Sequence, residues 1–260
     1  MNKRITIPAP VASMHGTGIK AAVSPNGELL IYGFVGDEWE EMDAKTIIKQ
    51  IQSLGNLNEL VVRINSGGGF VFEGLAIFNY LNNYESPVRV VIDGIAASMA
   101  SVIAMAGDVI EMPENAQMMI HNPWDIAIGD ADEMRKHADL LDRVKDSLLS
   151  IYENRTGLDR DELSAMMNEE TWMNGVEAVE RGFATVVTDS VDAAALTRVD
   201  LSAFAKAPEF LKNVRLQAVA GPHPDGIIPG SIRASVGTLN HEDEDMTTTA
   251  QPAKGKEPSA

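Results

Sequence analysis

The chain has 260 residues, 45% of them apolar, and a formal net charge of -17. That length allows one large domain, or one domain with an appendage. The negative charge argues against binding nucleic acid or anionic membrane, since both need a basic patch. The absence of cysteine rules out disulfides, thiolate zinc sites and cysteine catalysis.

Met1 to Pro8 carries Lys3 and Arg4 but no apolar stretch of the kind a signal peptide needs, and residues 1–16 read as an irregular N-terminal segment. The longest apolar stretch, Ile95 to Ala106, is too short to span a bilayer. A soluble, cytoplasmic protein is the expectation. No His/Asp/Glu cluster has metal-ligand spacing, so neither a metal nor a cofactor is expected.

Lys20 to Val23 and Glu28 to Val35 read as a hairpin around Asn26-Gly27. Asp43 to Leu54 has the apolar spacing of a helix, with Asp43 as its N-cap. Glu59 to Asn65 is a strand that runs into Ser66-Gly67-Gly68-Gly69, and Phe70 to Tyr84 is a helix with an apolar stripe. The pattern then repeats: strand Val88 to Asp93, a turn at Ser98, a short buried helix to Ala106. Strands follow at Val109 to Met112 and Gln117 to Ile120, and His121-Asn122-Pro123 forms a turn. The longest helix covers Asp130 to Arg155, with Gly157 as a stop. Asp159 with Glu162 resembles a capping box for a helix through Met167. A short helix Val176 to Arg181 and a strand Phe183 to Val187 complete an α/β pattern with a largely parallel sheet. Beyond Asp189 the character changes. Leu201 to Val219 reads as one amphipathic helix, and from Gly221 on the composition is that of a disordered tail.

Ser98 stands where a strand becomes a helix, a place that displays a hydroxyl and offers helix N-terminal N–H groups. The octapeptide Gly94 to Ser101 taken alone reads first as a small-residue helix packed on a sheet. A nucleophilic serine needs a base. Of five histidines, His223 and His241 lie in the tail, His15 in the irregular N-terminal segment, and His137 in mid-helix among charges. His121 ends a strand, and strand C-terminal ends meet at one rim of a parallel sheet. The glycines of Ser66 to Gly69 let backbone N–H groups face a substrate. They match neither phosphate-binding signature, so a nucleotide site is disfavoured.

Ile64 to Gly69, Gly94-x-Ala96-Ala97-Ser98-Met99-Ala100 and Met119 to Pro123 resemble, in order and spacing, three signature blocks of the Clp protease proteolytic subunit family. The resemblance runs from about Leu29 to Asp189, within a protease domain at 17–190 followed by a C-terminal extension at 191–260. It implies a ClpP/crotonase-type fold of repeated ββα units and a serine endopeptidase without cofactor or metal. Ser98 would be the nucleophile and His121 the base. Gly69 and Met99 would donate N–H groups to the oxyanion, and Gly67 to Phe72, with Gly68 and Phe70, would bind an extended substrate. The helix Asp130 to Arg155 would stack two rings of a homo-oligomer. Alignment puts Glu170 where the family carries its triad aspartate, with Glu169 and Asp125 as rivals. Gly67 replaces a usual proline. These departures are similar to the branch in tailed phages and prophages that matures heads, cleaving scaffold or capsid protein in the host cytoplasm or inside the prohead. The extension would then be scaffold-like or self-cleaved. Whether an ATPase unfoldase is a partner stays open. Alternatives are a housekeeping peptidase with an ATPase partner, a crotonase-like acyl-CoA enzyme, a Ser–Lys protease, or an inactive scaffold that keeps the fold.

Overall fold

The computed structural model of the chain describes residues 22–24, 27–38, 41–190, 199, 201 and 203–212. The expected tail from Gly221, residues 213–219 of the expected helix and the N-terminal segment 1–16 lie outside these residues.

The described residues form a mixed sheet in the order β1-β2-β3-β4-β5-β8. These strands are β1 (Ala22–Val23), β2 (Leu29–Val35), β3 (Leu60–Gly69), β4 (Val88–Ala97), β5 (Val109–Pro113) and β8 (Val186–Thr188). β6 (Gln117–Ile120) pairs with the far end of β4, and β7 (Thr171–Asn174) pairs with β6. The β1/β2 and β6/β7 pairings are antiparallel and the others parallel. The central strands are rich in Val and Ile, as strands covered on both faces must be. Ile31, Ile64 and Ile92 sit side by side in register and are fully buried. The last six residues of β4, Asp93 to Ala97 included, are shielded from solvent as well.

Seven helices complete the described fold: α1 (Ala44–Ser53), α2 (Val71–Asn82), α3 (Met99–Ala104), α4 (Ala131–Thr156), α5 (Arg160–Asn168), α6 (Gly175–Glu180) and α7 (Glu209–Lys212). Three of the longer helices, α1, α4 and α5, begin at a side-chain cap that the sequence supplies. Asp43 accepts from Thr46 N–H at 3.0 Å to start α1. Asp130 and Glu133 form a reciprocal capping box on α4, which stops at Gly157 in the left-handed region, φ 71°. Asp159 starts α5 by accepting from Asp161 N–H at 2.8 Å. The core joins the sheet to the helices through Ile103, Leu148, Tyr152 and Phe183.

The structure departs from the sequence reading in several places, among them the last strand, which is Val186–Thr188 and not Phe183 to Val187. β3 takes in the whole glycine run, and β4 continues past Asp93 to Ala97, because β6 offers it a second pairing partner. β7 is four residues at the sheet edge, too short for a period to register. The helix expected over 201–219 is, where described, a run of turns followed by α7. Pro208 explains the break, since a proline disfavours helical geometry at the preceding Ala207 and suits the first turn of a helix.

Candidate active site

Two strand ends create the site. Ala97 closes β4 beside Met119 of β6, and Ser98 N–H donates to the Met119 carbonyl at 2.9 Å. The residue after Ala97 and the second residue after Met119 therefore meet. His121 Nε2 lies 2.8 Å from Ser98 Oγ. With the ring proton on Nδ1, the hydroxyl donates and the imidazole accepts, the arrangement a nucleophile–base pair requires.

The backbone at Ser98 is turned sharply, φ 53° and ψ -126°, a left-handed conformation that non-glycine residues seldom adopt. Its surroundings hold it there. The Ser98 carbonyl accepts from Ser101 N–H at 3.0 Å and from Ser101 Oγ at 2.6 Å. Ser101 Oγ in turn accepts from the hydroxyl of Tyr152 at 2.8 Å, on a side chain from α4 that is 1% exposed. Burial raises the Tyr152 phenol far above its ordinary value, so it stays a donor. The Ser98–Met99 peptide carries both that carbonyl and the Met99 N–H, the first helical amide, which has no acceptor within its helix. Fixing the carbonyl fixes the N–H.

The glycine turn approaches from β3. The β3/β4 register shifts between Ile64 and Ser66, and the buried Asn65 Oδ1 bridges the interruption by accepting from Ile95 N–H at 3.2 Å. Gly68 then lies against Ser98. A Cβ there would come within 2.7 Å of Ser98 Cβ and 2.8 Å of Met99 N, at a φ of +96°. Gly69 abuts Val35 as tightly. Gly68 N–H donates to Ser66 Oγ at 3.1 Å, so Gly68 supplies space and not a donor to substrate. Phe70, half exposed, packs edge-on against Phe34 at the mouth of the cleft. The cleft is mostly apolar, encloses about 150 Å³, and is lined by Ser98, His121, Gly69, Phe70, Met99, Val102, Trp124, Leu148 and Tyr152 among others.

Burial lowers the His121 imidazole below its ordinary 6.5, and the negative charge of Glu170 pulls the other way. Glu170, itself at φ 51°, does not hydrogen-bond the imidazole. Its carboxylate accepts from Trp172 Nε1 at 3.1 Å, from Ala205 N–H at 2.9 Å and from Lys206 N–H at 2.7 Å. The rivals are occupied elsewhere too: Glu169 pairs with Lys206 Nζ, and Asp125 lies 3.4 Å from His137 Nε2. Among the described residues, no hydrogen bond reaches His121 Nδ1. Sequence reasoning missed Tyr152, Ser101 and above all Phe204, whose ring stands edge-on to the imidazole at 5.5 Å between centroids. Pro208 was the available signal that Phe204 would not lie on a long helix.

The Clp protease family model matches residues 29–191, which contain the serine, the histidine and the glycine turn. The chain belongs to the Clp protease family. It is similar to the ATP-dependent Clp protease proteolytic subunit of Deinococcus radiodurans, 32% identical over 162 residues that cover 60% of this chain and 79% of the relative. The subunit of that name from Bacteroides fragilis is 30% identical over 154 residues, 57% of this chain and 74% of the relative. Clp-family membership implies a serine-type peptidase, a hydrolase, in a family that builds oligomeric rings and cleaves polypeptides. The mixed α/β architecture with its parallel sheet is the fold of that family. Among the described residues, no helix is long and apolar enough to cross a membrane.

Proposed function

We propose that this Clp-family chain is a serine endopeptidase in which Ser98 is the nucleophile and His121 the general base. The 2.8 Å contact between Ser98 Oγ and His121 Nε2 carries the reading. Oγ attacks the scissile carbonyl carbon while its proton passes to Nε2. The carbonyl oxygen becomes an oxyanion facing the Met99 N–H, with the Gly69 N–H as the second donor. The C–N bond breaks as Nε2 returns the proton to the leaving amine, and an acyl ester remains on Ser98. Water attacks the ester with the same base and releases the acid. Glu170 stabilises the imidazolium through space, since its oxygens are engaged by three N–H donors. An extended substrate adds as a strand along Gly67 to Phe70, before α2 begins at Val71, and its side chain enters the apolar cleft.

The finer reading is head maturation in a tailed phage or prophage, with scaffold or capsid protein as substrate. Gly67 in place of proline, glutamate at 170 and the extension past residue 191 support it. The names of the relatives favour a second reading, a peptidase that works with an ATPase partner. Co-expression of wild type and Ser98→Ala with the neighbouring head genes, read by intact mass, separates the two. Defined cleavages lost in Ser98→Ala support maturation. Intact head proteins, with degradation only when an ATPase unfoldase is supplied, move the assignment to the second reading.

A further inference from the structure

A single hydrogen bond at Nε2 sets where the His121 imidazole touches Ser98, but it leaves the ring free to swing about its own axis. In a triad a second bond at Nδ1 removes that freedom. Among the described residues none bonds Nδ1, and the imidazole packs against a phenyl group. Phe204 packs against it at 5.5 Å between centroids with the planes 83° apart. The same phenyl ring stands edge-on to Trp172, at 6.0 Å and 73°.

The position of Phe204 is itself built. The two amides that follow it, at Ala205 and Lys206, donate to the Glu170 carboxylate, which also accepts from Trp172 Nε1. Ring, amides, carboxylate and indole thus form a closed circuit of contacts beside the histidine. Leu201, Ala207 and Leu211 anchor the segment in a second apolar cluster with Ile95, Ala97 and Met119, the residues that lead into Ser98 and His121. Phe204 is 4% exposed. The stretch that carries Phe204 lies past residue 191, where the family match ends.

We propose that Leu201 and residues 203–211 are part of the active site and that Phe204 is a positioning residue, which holds the His121 ring in the plane that accepts the Ser98 proton. The inference rests on the serine-peptidase reading. It gives the chain a packing contact where a triad uses a hydrogen bond, and it makes Glu170 the fastening of that contact.

The test uses the full chain, a fluorogenic peptide substrate and a fluorophosphonate probe whose adduct is mapped by mass spectrometry. Phe204→Ala is expected to lower kcat about 100-fold with little change in KM, the penalty for a misplaced catalytic group. Phe204→Leu keeps the apolar bulk and the docked segment, and guards against a folding defect. It is expected to restore part of kcat and of the labelling rate, with an unchanged melting temperature. Wild-type kcat and labelling in Phe204→Leu, or faster turnover in Phe204→Ala, overturns the inference while leaving the peptidase standing. A wild-type chain that takes no label at Ser98 overturns the peptidase reading and the inference with it.

Discussion

At the scale of single residues, the site depends on atoms brought closer than side chains ordinarily allow. Gly68 is the clearest case, because a methyl group there would overlap the nucleophile and the first amide of α3. Gly68→Ala is expected to destabilise the fold by about 2 kcal/mol, from the left-handed backbone and the overlap together. It should also abolish peptide turnover; a melting curve and a rate at wild-type values would contradict this. The protonation of His121 follows from two opposed influences, burial lowering its affinity for a proton and Glu170 raising it. The base must be unprotonated, so activity is lost as pH falls through its folded-state value. The acid limb of kcat/KM should therefore lie below 6.5, the ordinary histidine value. Glu170→Gln removes the opposing influence and should move that limb lower still. A limb that moves to higher pH would show that Glu170 does not act on the imidazole through its charge. Ser98 and His121 were legible in the sequence because each closes an apolar strand, and parallel strands deliver their ends to one rim. Glu170 was legible as an alignment position but not as a geometry. Its side chain is held by amides 35 and 36 residues away, and no local pattern records such a contact.

At the scale of elements, the glycine turn, the strand-to-helix turn and the long helix converge on one peptide plane. The chain of hydroxyls from Tyr152 through Ser101 to the Ser98 carbonyl joins α4 to the start of α3. Tyr152→Phe removes one buried hydrogen bond and is expected to cost about 1 kcal/mol of stability. Because the same plane carries the Met99 N–H, turnover should slow more than substrate binding weakens. A variant whose KM rises while kcat holds would instead assign Tyr152 to the substrate cleft. The helices were readable where caps and periodicity agreed, as Asp43, Asp130 and Gly157 show. The extension of β4 to Ala97 was not, because it depends on β6, twenty residues further along, arriving beside it. Of the helix expected over 201–219, the described part starts only at Glu209, for a local reason, Pro208, and a tertiary one, the docking of Leu201 and Phe204 onto the strand ends.

At the scale of the whole molecule, the Clp-family match spans residues 29–191, and described residues beyond it, up to 212, pack back onto the strand ends and His121. A net charge of -17 keeps polyanions away from it and leaves polypeptide as the substrate class the apolar cleft suits. The central claim is that Ser98, activated by His121, is the one nucleophile of this chain. The most direct measurement is intact mass and peptide mapping after exposure to a fluorophosphonate, on wild type, Ser98→Ala and His121→Ala. A single adduct on Ser98 in wild type, absent from both variants that nonetheless melt as the wild type does, is the expected result. An adduct on another residue, or an unmodified wild-type chain, would contradict the account.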